Sequence, residues 1–120
     1  MKQIQLVNAY RDLEKLSENE NLSDFNQWEI YKLRKLLRPH IDFQNERENA
    51  ILEKYRPYAD AEGNLDSEKS AEYIKEIKSL AQMEIEIESF VKPEIKIVKG
   101  MTCKTMEPLE DFIEFTSPAE

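Results

Sequence analysis

Apolar residues recur at near-helical spacing from the start of the chain. Ile4, Val7, Leu13 and Leu16 form one stripe, with Leu6 and Tyr10 beside it. This predicts an amphipathic helix of about three to four turns. The run SENENLSD interrupts it with side chains that compete for backbone hydrogen bonds. Ser23 or Asp24 is then placed to cap a second helix by accepting from its open first-turn amides.

That second helix carries two adjacent apolar stripes. One is Phe25, Trp28, Tyr31 or Lys32, and Leu36; the other is Ile30, Leu33 and Leu37. Pro39 lacks an amide proton and crowds the preceding turn, so LLRPHIDFQNERENAILEKY reads as two helices or one kinked helix. The kink is favoured, because no glycine or turn cluster accompanies the proline and Ile41, Phe43, Ala50, Ile51 and Tyr55 continue the pattern.

RPYADAEGNLD is the clearest loop, with Pro57 ending the helix and Gly63-Asn64 able to take positive φ. Asp66 or Ser67 can cap a third helix over roughly residues 68–82, with Glu68 in its first turn and Ala71, Ile74, Ile77, Leu80 and Ala81 facing inward. The period then falls to two. Ile85 and Ile87 alternate with Glu84, Glu86 and Glu88, and Ile95 and Ile97 alternate with Glu94 and Lys96. Two half-buried strands are predicted, pairing antiparallel around residues 89–93, with Lys96 opposing the glutamates across the ribbon. TMEPLEDFIEF closes the chain as a short helix with Pro108 in its first turn and Leu109, Phe112, Ile113 and Phe115 on its apolar side, followed by a TSPAE tail. The expected fold is α+β: one domain over residues 1–120, mainly helical, with three to five helices and a two-stranded β-ribbon near the C-terminus.

Composition sharpens this picture. With 35% charged residues and only 2 glycines among 120, long helices with densely ionised outer faces are favoured over many short strands. The single cysteine, Cys103, permits neither an intrachain disulfide nor a thiolate zinc site. No apolar run is long enough to span a bilayer, and the first residues turn polar too early for a secretory leader. A cytoplasmic, non-membrane protein is expected. Acidic and basic side chains balance within residues 1–56, so the whole net charge of −8 falls after Arg56. Such a surface repels nucleic-acid phosphates and suits a protein partner with a basic surface.

The acidic loop tests as a calcium site and fails the pattern. With Gly63 at position 6 of an EF-hand loop, Asp60 and Glu62 fall on ligand positions, but Tyr58 takes position 1 and Lys69 takes position 12, where a bidentate glutamate belongs. The acids read as loop solubility and helix-start chemistry. His40 and Asp42 stand two apart, which on a helix points them to different sides and makes no dyad. Cys103 has no histidine near it in sequence to activate it. Lys32, Lys35 and Arg38, with Arg34 alongside, read as the solvated face of an amphipathic helix. No cofactor or catalysis is expected. The partner-binding candidates are Glu84, Glu86, Glu88 and Glu94, an acidic face on which aligned like charges would welcome a cationic surface.

The order of parts resembles small proteins of unknown function from tailed phages and prophages of Gram-positive bacteria. The likeness rests on YKLRKLLRPHIDFQNERENAILEKY, the acidic ADAEGNLD turn, a helix ending in IEIES, and a closing LEDFIEF. The PHID stretch and the KGMTCKTM connection depart from it. The resemblance implies a phage-encoded accessory protein acting in the bacterial host cell or packaged in a virion. One such role is inhibition of a host defence nuclease through the acidic second half. The alternative is a structural or assembly protein that forms homo-oligomers through apolar helix faces.

Overall fold

The computed structural model describes residues 1–117. It is a mainly helical α+β fold, with four helices and a two-stranded parallel sheet near the C-terminus. Helix α1 spans Gln3–Ser17 and α2 spans Asp24–Tyr55, followed by a 3-10 turn at Arg56–Tyr58. Helix α3 is Ser67–Ala81, strand β1 is Glu94–Lys96, the short α4 is Cys103–Met106 with a 3-10 turn at Glu107–Leu109, and β2 is Glu114–Thr116. Of the TSPAE tail, Thr116 ends β2, and residues 118–120 lie outside the described residues.

The helix starts follow their caps. Ser23 Oγ accepts from the Asn26 amide at 3.1 Å, and Asp66 Oδ1 accepts from the Lys69 amide at 2.8 Å, each satisfying a donor that the first turn leaves open. Helix α2 runs unbroken through Pro39 for 32 residues, so the two-helix alternative falls away. Gln3 of α1 braces the turn after the proline, its Nε2 donating to the His40 carbonyl at 3.0 Å.

The buried face of α1 is Leu6, Ala9, Tyr10, Leu13 and Leu16, while Ile4 is exposed. The stripe is thus rotated from the sequence reading, which began on Ile4. It packs on Ile30, Leu33 and Leu37 of α2, and Ile95, Leu109, Phe112 and Ile113 close the core. The companion stripe of α2 stays outside: Phe25, Trp28 and Tyr31 are exposed. A second, smaller cluster buries only Ile51, Tyr55 and Leu80, with Leu65, Tyr73, Ile77 and Met83 partly covered. The expected inward face of α3 is correspondingly incomplete, since Ala71 and Ile74 are exposed.

The ribbon forms from other segments than the sequence predicts. Residues 84–88 and 94–97 do not pair with each other; β1 pairs parallel with β2, in register Ile95 to Phe115. The tightest, two-residue hairpin turns need residues that accept positive φ, and residues 89–93 supply none. Among the described residues only Gly63 and Gly100 take it, at +83° and +96°. The chain stays extended past Ser89 and turns at Lys99–Gly100. Residues 97–113 then provide the long crossover that parallel strands require. Phe115, expected on a closing helix, lies in β2, and Pro108 sits in the 3-10 turn after α4.

The molecule is elongated, with extents of 59 × 29 × 19 Å and a radius of gyration of 18.1 Å. A compact chain of this length would have roughly 14 Å. Helix α2, about 48 Å long at 1.5 Å per residue, sets the long axis. The larger core surrounds its first half, and its second half extends with α3 as a two-helix arm.

Candidate protein-binding surface

Residues 84–94 are held at both ends and open between them. At the start, the Ile85 amide donates to the Met1 carbonyl at 2.7 Å and the Gln3 amide donates to the Met83 carbonyl at 2.8 Å, a single antiparallel bridge between Lys2 and Glu84. At the end, the Glu114 amide donates to the Pro93 carbonyl at 3.0 Å as β1 meets β2. Between these anchors, residues 86–92 make no backbone hydrogen bond to another described residue. Burial alternates as a strand's would over residues 84–88, and the alternation breaks at Ser89, which is exposed beside Glu88. Ile85, Ile87 and Phe90 rest on the larger core, with Phe90 stacked on Phe112 at 5.7 Å, while Glu84, Glu86 and Glu88 face solvent. The period-two pattern fixed which way the side chains point without fixing a backbone partner.

Three of the four candidate carboxylates fall on the alternating stretch 84–88. Glu84 pairs with the Met1 ammonium at 3.2 Å and keeps a side chain 72% exposed. Glu86 and Glu88 are exposed and make no ion pair among the described residues. Glu94 lies apart from them, exposed on β1 with Glu114 as its neighbour in the sheet. Lys96 does not serve as their cross-strand counterion, because its strand pairs with β2 instead.

The other candidates dissolve into local structure. Asp60 Oδ1 accepts from the Glu62 and Asn64 amides, both at 2.9 Å, so this loop carboxylate organises its own turn. Of the basic stripe on α2, Arg34 pairs with Glu14 and Arg38 with Asp42, both at 3.3 Å. Lys32 lies 5.9 Å from the Trp28 ring, which itself stacks on Tyr31. Cys103 is exposed at the start of α4.

Sequence reasoning missed a concave surface, a trough of about 710 Å³ between the second half of α2 and α3. Beside it Lys54 Nζ meets Glu76 Oε1 at 2.8 Å, and this contact, with Tyr55 second, holds the Glu76 carboxyl below its ordinary range. Glu76 in turn is the main cause, ahead of burial, that pushes the Tyr55 phenol up to about 12. The signal was present as a stripe, since Phe43, Arg47, Ile51, Tyr55 and Tyr58 recur every three or four residues.

Compared with known proteins, the chain matches no family model, no curated protein and no solved structure. Among the described residues, no helix is long and apolar enough to cross a membrane.

Proposed function

We propose that the chain is a non-catalytic protein-binding module that takes a basic segment of its partner along residues 84–94. The observation that carries this reading is the extended stretch 86–92, tied at both ends, with its backbone unpaired among the described residues and Glu86 and Glu88 turned outward. An added strand would gain main-chain hydrogen bonds there, and alternate Lys or Arg side chains would meet the carboxylates. On the resemblance to phage proteins, the partner is a host defence nuclease whose basic nucleic-acid groove this surface would occupy.

The test is binding to a basic nuclease across a salt series. Glu86→Lys with Glu88→Lys leaves the Glu84 contact to Met1 untouched, and it should weaken stoichiometric inhibition about tenfold or more at low salt. Inhibition that survives the double reversal removes this surface as the contact.

A second reading, assembly into a virion, draws on a different feature. Phe25, Trp28 and Tyr31 line one exposed helix stripe, at 67%, 53% and 49% exposure, which a lone soluble helix face rarely leaves in water. A ring or stack on sizing, together with copurification with intact particles, would support it. A monomer absent from virions would dispose of it.

A further inference from the structure

The arm formed by α2 and α3 has the geometry of a helical bundle missing one helix. Its core buries three side chains, and the trough above them is floored by Ile51, Leu80 and Met83, with Phe43 and Tyr58 exposed towards its ends. From Phe43 to Tyr55 the α2 wall is about 18 Å long, and the 3-10 turn at Arg56–Tyr58 extends it to roughly the length of four helical turns. Each wall offers one or two residues per turn, spaced three or four apart, which suits the i, i+3, i+4, i+7 ridge of a helix laid between them.

Charge selects the kind of helix. The rim carries Arg47, Lys54, Lys69 and Lys75 against Glu72 and Glu76. Lys54 is held by Glu76 at 2.8 Å and Lys69 by Glu72 at 3.3 Å. Arg47 and Lys75 are exposed and make no ion pair among the described residues. A positively charged trough on a chain of net charge −8 is a local inversion of sign, and it complements an occupant with acidic flanks. We propose that this trough docks an amphipathic helix of a partner protein, with an apolar ridge on the floor and Glu or Asp beside Arg47 and Lys75. Its chemistry is opposite to that of the acidic segment, so the two surfaces select different partners or different parts of one partner.

The experiment uses the full chain and a labelled designed peptide of about four helical turns, with Leu at i, i+3, i+4 and i+7 and Glu on both flanks, read by fluorescence anisotropy. A control peptide replaces each Glu with Lys. The acidic peptide should bind, the basic one should bind about tenfold or more weakly, and the difference should shrink as salt rises. Arg47→Glu with Lys75→Glu, at exposed positions that leave the floor intact, should reverse the preference, with helicity by circular dichroism unchanged. Equal binding of both peptides, or no binding of the acidic one at ~100 µM, overturns the proposal. Self-association of the chain that the same double reversal abolishes would assign the trough to a second copy, and would also overturn it. Glu86→Lys with Glu88→Lys should leave peptide binding unchanged, which keeps this result separate from that of the acidic segment.

Discussion

Tyr55 shows how one side chain ties the arm to pH. It is buried on the α2 side of the smaller core, edge-on to Tyr73 at 5.7 Å, with Lys54 over its ring and Glu76 beside its phenol. A phenol raised from 10.0 to about 12 is held neutral more firmly in the folded chain than in the unfolded one. The sign follows from linkage: the stability this group contributes is complete below pH 10 and is lost as pH rises through about 12. Glu76 behaves oppositely. Its lowered value contributes stability above the ordinary carboxylate range, and acidification removes it. One of the five tyrosines should therefore ionise late in an ultraviolet titration, and Tyr55→Phe should abolish that late step and flatten the alkaline loss of stability. A late step that persists in the variant would assign it to another tyrosine. Tyr55 was legible in the sequence as a core position. Its pairing with Glu76 was not, because it depends on how far α3 is shifted along α2, a quantity that helical periodicity leaves open.

Among the elements, legibility follows how local the determinants are. The starts of α2 and α3 were readable to within one residue because a cap acts within four residues; Ser23 rather than Asp24, and Asp66 rather than Ser67, cap them. The strands were readable as extended segments facing a core, since Ile85, Ile87 and Ile95 turn inward. Their pairing was not, because it was decided by a turn located elsewhere. Gly100 makes that turn at φ +96°, and Asn19 and Asn21 from the α1–α2 connection clamp it, each donating its side-chain amide to the Lys99 carbonyl at 3.0 Å. A Cβ at Gly100 would lie 3.0 Å from Asn19 Nδ2, whereas one at Gly63 would meet nothing within 4 Å. Both glycines hold backbone that L side chains adopt under strain, so each change to alanine should cost about 1 kcal/mol or more. Gly100→Ala should cost more than Gly63→Ala in chemical denaturation, through the displaced Asn19 clamp. Equal losses would mean that the clamp adds nothing to the turn's own conformational cost.

Across the whole molecule, two cores of unequal size lie along one long helix. The larger joins both ends of the described chain, α1 with Phe112 and Ile113, and the smaller holds α3 against the far half of α2. Truncating Phe112, 1% exposed in the larger core, should cost about 3–5 kcal/mol and shift global unfolding. Leu80→Ala removes one of the three buried residues of the smaller apolar cluster, so its global cost is capped by the arm's own stability. Once the arm opens independently, further damage to it no longer lowers the stability of the remainder. Hydrogen exchange separates the two cases. Amides of α3 should exchange by local opening well before those of α1, and Leu80→Ala should strip protection from α3 while leaving α1 protected. A helix docked in the trough would supply the arm's missing side, so binding of the acidic peptide should raise protection in α3 first. If α1 and α3 share one level of protection and Leu80→Ala lowers both together, the chain unfolds as a single unit and the arm has no separate stability for a partner to complete.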